Sequence, residues 1–126
     1  MRDETIIENK DGYIHVRHYG RDSYDITLDM WRRIVATCEE YNCFNILGET
    51  KTMNRLSTMD NYDHITIMKQ AGVTLRHRIA WVAHGPEALA DLRFVETILL
   101  NRGLANGKVF TSIEEAKRWL LDKSKQ

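Results

Sequence analysis

The feature that most constrains the fold is an apolar run without polar alternation, Arg78-Ile-Ala-Trp-Val-Ala-His84, followed at once by Gly85-Pro86. A strand that is apolar on both sides is typical of a parallel strand covered on both faces. Pro86 suits the first turn of a helix, where its missing N–H costs no hydrogen bond. The run therefore predicts a buried central strand that leads directly into a helix.

The sequence before this strand predicts a hairpin, a helix and a second buried strand. Thr5–Glu8 and the alternating Tyr13–Tyr19, joined by a Gly12 turn, favour an antiparallel hairpin. On the second strand, Ile14 and Val16 are predicted to face one side, whereas Tyr13, His15, Arg17 and Tyr19 face the other. Thr27 is a suitable cap for an amphipathic helix. The short apolar run 43–47 then predicts a strand that ends at Gly48 and is followed by a polar loop over 49–56.

The remaining segments complete an alternation of strands and helices. A second helix is predicted from Ser57 or Thr58 to Gly72, and a third after Pro86. After a turn at 106–107, a strand over 108–111 leads into a helix with a Ser112–Glu115 capping box. The order β-β-α-β-α-β-α-β-α predicts a single α/β domain over 1–126, with an antiparallel hairpin and parallel β-α units in one mixed sheet. The pattern leaves open whether the helices cover one face or both.

Composition narrows the function classes. The 18 basic and 18 acidic residues balance to a net charge of zero, which argues against broad electrostatic binding of nucleic acid and leaves self-association into a homodimer open. Cys38 and Cys43 are predicted to be thiols, because so close a pair in elements of different direction is a poor disulfide candidate. With a polar N-terminus and no apolar run long enough to cross a bilayer, we expect a cytoplasmic protein.

Several segments resemble the SpoIIAA-like branch of the STAS superfamily, the fold of bacterial anti-sigma factor antagonists. They are the opening hairpin, the strand 78–83 and the closing Lys108-Val-Phe-Thr-Ser-Ile-Glu-Glu-Ala-Lys-Arg-Trp-Leu120, and the order of elements matches over roughly Glu4 to Leu121. The resemblance implies a STAS fold and a regulatory or binding role through a protein partner or a small apolar ligand. It also implies a phosphorylated Ser at the start of the second helix, but the Asp-Ser-x-Gly type motif is absent from residues 48–59.

Three groups of residues are candidate sites. Ser57 and Thr58 stand near the phosphorylation position of the antagonists, although the same residues serve equally as an ordinary helix cap. His84 follows a parallel strand at the edge where ligands bind, and Glu49, Lys51 and Arg55 leave a neighbouring strand there, so these four form a polar pocket, an acid–base site or a solvated loop. Tyr62, Ile65 and Met68 on the second helix line an apolar ligand or partner surface, or pack in the core.

No metal-ligand spacing, glycine-rich phosphate loop or nucleophile–base pattern appears in the sequence, so we expect no metal and no cofactor. The leading hypothesis is a non-enzymatic STAS-type binding or regulatory module. A phosphorylation-dependent partner switch at Ser57 or Thr58 is the alternative. A third hypothesis, an enzyme that uses Glu49 and His84, requires these two side chains to lie within reach of each other.

Overall fold

In a computed structural model, the chain forms one mixed five-stranded sheet and four helices. The structure describes residues 4–20, 23–52, 63–104 and 106–122, without the side chains at 51, 52 and 87. The elements are β1 (Glu4–Asn9), β2 (Ile14–Gly20), α1 (Tyr24–Tyr41), β3 (Asn45–Thr52), α2 (Asp63–Ala71), β4 (Arg78–Ala83), α3 (Pro86–Asn101), β5 (Asn106–Phe110) and α4 (Ile113–Leu120). The predicted α/β class, with its mixed sheet, is confirmed.

The strands lie in the order in which they occur along the chain, β1-β2-β3-β4-β5. β1 is antiparallel to β2, and the other three pairings are parallel. Parallel crossovers are nearly always right-handed, so a sheet that adds each strand on the same side keeps its connecting helices on one face. Accordingly, α1, α2 and α3 share one core with the first face of the sheet, whereas α4 packs on the second face. This answers the question that the sequence pattern left open.

The first core is centred on Trp81 of β4. Its ring lies 5.4 Å from that of Trp31 on α1, and its Nε1 donates a hydrogen bond to Thr50 Oγ1 at 2.9 Å. The ring covers Gly48 so closely that a Cβ at this position would overlap it. The prediction that β3 ends at Gly48 is therefore wrong: the glycine makes room for Trp81 within the strand, and β3 continues to Thr52.

The second core is smaller and lies under α4. Leu47, Ala80 and Val82 of the sheet contact Ala116 and Leu120 of the helix in this core. The helix begins after Ser112, whose side chain accepts a hydrogen bond from the Glu115 backbone N–H, as the sequence predicts.

Arg78 ties α4 to the start of β4. One Nη donates to the Trp119 carbonyl at 2.8 Å, and the guanidinium carbon lies 3.8 Å from the centre of the Trp119 ring. Arg78 is buried, with 7% of its surface exposed. The residue that opens the central strand therefore holds a helix on the second face.

Two other predicted boundaries are corrected. Ser23, not Thr27, caps α1 and accepts a hydrogen bond from the Ile26 N–H; Thr27 lies inside the helix and is buried. The predicted turn at 106–107 belongs to β5, because Asn106 and Gly107 pair with the start of β4. In the described part of the chain, every helix is too short or too polar to cross a membrane.

Candidate functional site

The candidate site lies on the second face of the sheet, beside the area that α4 covers. Arg17 and Glu49 are register partners in the parallel pair β2–β3, so their side chains share this face with His15. The helix α4 packs against β3, β4 and β5. Its footprint leaves His15, Arg17 and Tyr19 of β2 only half-buried, whereas Ile14 and Val16 on the opposite face are fully buried. The predicted alternation of β2 is confirmed.

Glu49 stands between two histidines on this face. Its Oε2 lies 2.8 Å from His15 Nε2, and its Oε1 lies 2.9 Å from His84 Nε2. β2 supplies His15, β3 supplies Glu49, and His84 directly follows β4. We call these three residues the His–Glu–His cluster. Its side chains are 16%, 12% and 34% exposed in that order, so the carboxylate is enclosed but open at one edge.

The histidines hold Glu49 in its ionised form. Burial alone would raise the pKa of the carboxyl group, but hydrogen bonds from His15 and His84, together with their electrostatic attraction, bring the pKa below its ordinary value. An ionised carboxylate only accepts hydrogen bonds, so both imidazoles donate from Nε2. A neutral imidazole that donates from Nε2 carries an acceptor lone pair on Nδ1. With both imidazoles neutral, the cluster therefore presents acceptors on the carboxylate and on both Nδ1 atoms.

Arg17 does not neutralise Glu49, although the two residues are register partners. Its guanidinium donates instead to Glu8 Oε1 on β1, at 2.7 Å. Lys10 approaches the other oxygen of Glu8 at 3.7 Å and is the main cause of a lowered pKa at that carboxyl. Among the described side chains, Glu49 makes no ion pair with a lysine or an arginine.

Sequence reasoning therefore identified two of the three members of the cluster. Glu49 and His84 meet in a direct hydrogen bond, which satisfies the condition of reach that the enzyme hypothesis required. Lys51 lies on β3 opposite Tyr19, and its side chain is outside the described residues, as is Arg55. His15 was missed because β3 was predicted to end before Glu49. Once β3 includes residue 49, the alternation places both side chains on one face.

The remaining predicted sites lie in the core or outside the described residues. Met68 is 5% exposed and packs in the first core, which favours a structural role for it; Ile65 is half-buried. Ile67, which falls off the predicted apolar stripe, is completely buried. Ser57, Thr58 and Tyr62, with the predicted start of the second helix, lie outside the described residues.

A separate cleft of about 310 Å³ opens between β1 and the first turns of α1. Its lining is mostly polar or charged: Glu4, Thr5, His18, Asp25, Ile26, Asp29 and Arg33. At its side, Thr5 Oγ1 lies 2.8 Å from Nδ1 of the buried His18.

The cysteines are free thiols, as predicted. Burial raises the pKa of Cys38 to about 12, so its reactive thiolate is scarce at neutral pH. Within the described ranges, no group of three or more histidine, cysteine, aspartate or glutamate side chains is arranged to hold a metal ion.

A carboxylate that holds a histidine can orient it as a general base, or can serve with it as a hydrogen-bonding surface.

No protein-family model matches the sequence, and no curated protein gives a significant match.

Proposed function

We propose that this chain is a non-enzymatic binding domain of the SpoIIAA-like STAS type, and that a protein partner binds it on the second face of the sheet, over the His–Glu–His cluster. The observation that carries the proposal is the position of the cluster. Its three side chains come from neighbouring parallel strands, near the start of β2, within β3 and directly after β4, and they lie beside the footprint of α4.

Binding is a better account of this geometry than catalysis. A general base needs a nucleophile within hydrogen-bonding reach. In the described part of the chain, His15 and His84 hydrogen-bond to Glu49, and neither imidazole hydrogen-bonds to a hydroxyl or a thiol. A protein partner also fits better than a small apolar ligand, because this face carries ionised and hydrogen-bonding side chains.

Site-specific photocrosslinking in the native cell tests the proposal. Tyr19, which shares the face of the cluster, is replaced by p-benzoylphenylalanine. The matched control is the same replacement at Phe94, an exposed aromatic residue on α3, on the opposite side of the sheet. We expect a discrete crosslinked product from position 19 and none of the same mass from position 94. The captured protein is then purified, and its affinity for the wild-type chain and for Glu49→Gln is measured.

The two steps together decide the matter. A purified partner that binds wild type at least about tenfold more tightly than Glu49→Gln supports the proposal, since a lost charged hydrogen bond costs about 1.5–3 kcal/mol. Equal crosslinking from both positions, or a partner that binds Glu49→Gln as tightly as wild type, contradicts it.

A further inference from the structure

The carboxylate at the centre of the cluster retains its charge and about half of its accepting capacity. An ionised carboxylate offers about four lone-pair directions, and the two imidazoles occupy one on each oxygen of Glu49. The side chain is 12% exposed, so the remaining directions are accessible only at the open edge. A partly buried charge interacts more strongly with a counter-charge than a fully solvated one does.

Among the described side chains, the two imidazoles approach the Glu49 carboxylate, and no lysine or arginine does. Arg17, its register partner, is turned to Glu8, where two cations share one carboxylate. In their neutral Nε2–H tautomers, His15 and His84 donate to the Glu49 carboxylate, and each keeps an acceptor lone pair at Nδ1. One negative charge flanked by two such rings is complementary to a cation with several N–H donors.

We infer that the His–Glu–His cluster is a receptor for a guanidinium group, supplied by an arginine side chain of the bound protein. A guanidinium carries five N–H donors in one plane and stays charged at physiological pH. It can therefore meet carboxylate and imidazole acceptors at once and lie flat against an imidazole ring. An ammonium group offers three donors around a single point and lacks the flat surface. This inference rests on the proposed function, whose partner it describes.

Titration of the purified full chain with Nα-acetyl-arginine amide, followed by ¹⁵N–¹H NMR, tests this inference without any partner protein. Nα-acetyl-lysine amide is the matched probe. We expect saturable shifts confined to the amides and imidazoles around His15, Glu49 and His84, with arginine bound more tightly than lysine. The wild-type chain alone gives this result, so it does not depend on the folding of any variant.

Two variants locate the charge that is responsible. Glu49→Gln keeps the size of the side chain and removes its charge, and should weaken binding of the arginine probe at least about tenfold. Glu40→Gln removes an exposed carboxylate on α1, on the opposite side of the sheet, and should leave the affinity within about twofold. Spectra of both variants show whether each is folded.

Three results would overturn the inference: an arginine probe that produces no saturable shift, a lysine probe that binds equally well, and an affinity that is the same in Glu49→Gln. The outcome is separate from that of the crosslinking experiment. A partner captured through position 19 whose affinity depends on Glu49, together with a negative arginine titration, would leave the binding function standing and remove the guanidinium. A positive titration with no crosslinked partner would support the guanidinium site and contradict the proposed protein partner.

Discussion

At the scale of single residues, the site depends on a glycine that has no direct part in it. Gly48 lies under the Trp81 ring, and Glu49 is the next residue of the same strand. Alternation along β3 turns Gly48 toward the first core and Glu49 toward the second face. The glycine that makes room for Trp81 in the first core is therefore the neighbour in sequence of the carboxylate that His15 and His84 hold on the second face.

Gly48→Ala should lower the free energy of unfolding by at least about 2 kcal/mol, because the added methyl group overlaps the Trp81 ring. Urea denaturation gives the value. In a Trp81→Leu background the ring is absent, so the same substitution should cost much less. Equal costs in both backgrounds would show that the overlap with Trp81 is not the cause.

The pH dependence of stability should report the ionised state of Glu49. Its pKa is lower in the folded chain than its ordinary value of 4.5, so the folded state binds fewer protons. The stability that Glu49 contributes is thus complete above about pH 4.5 and is lost as the pH falls through the folded pKa. Glu49→Gln should flatten this loss in denaturant titrations at a series of pH values.

His77 provides an internal reference in the same titrations. Burial lowers the pKa of its imidazole below 6.5, and its Nδ1 accepts a hydrogen bond from the Thr74 N–H. Its contribution to stability should therefore decline as the pH falls below about 6.5, in wild type and in Glu49→Gln alike. A change in Glu49→Gln that appears only above pH 5 would contradict the assignment of the acid loss to Glu49.

At the scale of elements, α4 is short and is fastened at both ends. Ser112 caps its first turn, and Arg78 donates to the carbonyl of Trp119 in its last turn. A helix of 8 residues is marginal by itself, so its order depends on these contacts and on the burial of Ala116 and Leu120.

Arg78→Met should cost about 2–3 kcal/mol, because it removes a buried charged hydrogen bond and the stacking on Trp119. Hydrogen exchange should accelerate in α4 more than in β2. Lys108→Met is the matched control: its ammonium lies 5.6 Å from the Phe110 ring, and the residue is exposed, so its loss should change stability by less than about 0.5 kcal/mol. Similar exchange rates of α4 in wild type and Arg78→Met would contradict the role of Arg78.

At the scale of the whole molecule, both cores meet at β4. All six residues of this strand are buried, whereas β1 forms an outer edge of the sheet and its residues are half-buried or exposed. Native-state hydrogen exchange should therefore find the slowest amides in β4 and in the paired part of β3, and the fastest strand amides in β1. Slower exchange in β1 than in β4 would show that another element covers that edge.

The sequence alone predicted much of this organisation, because hydrophobic periodicity reports burial directly. The run at 78–83 indicated a strand covered on both faces, and the alternation of β2 indicated its two sides. The extent of β3 was missed because Glu49, Thr50, Lys51 and Thr52 are polar, and polarity resembles a loop when the strand lies at an open part of the sheet. The contact between Arg78 and Trp119 joins residues 41 positions apart, which local pattern does not report.

The alternation of β2 has a consequence for how such a domain diverges in evolution or is redesigned. The side chains of Ile14 and Val16 are fully buried in the core, whereas those of His15, Arg17 and Tyr19 are half-buried on the other face. Substitutions at odd positions can rewrite the chemistry of this surface while the even positions keep the architecture intact. Within this seven-residue strand, different residues therefore determine the fold and the chemistry of the exposed face.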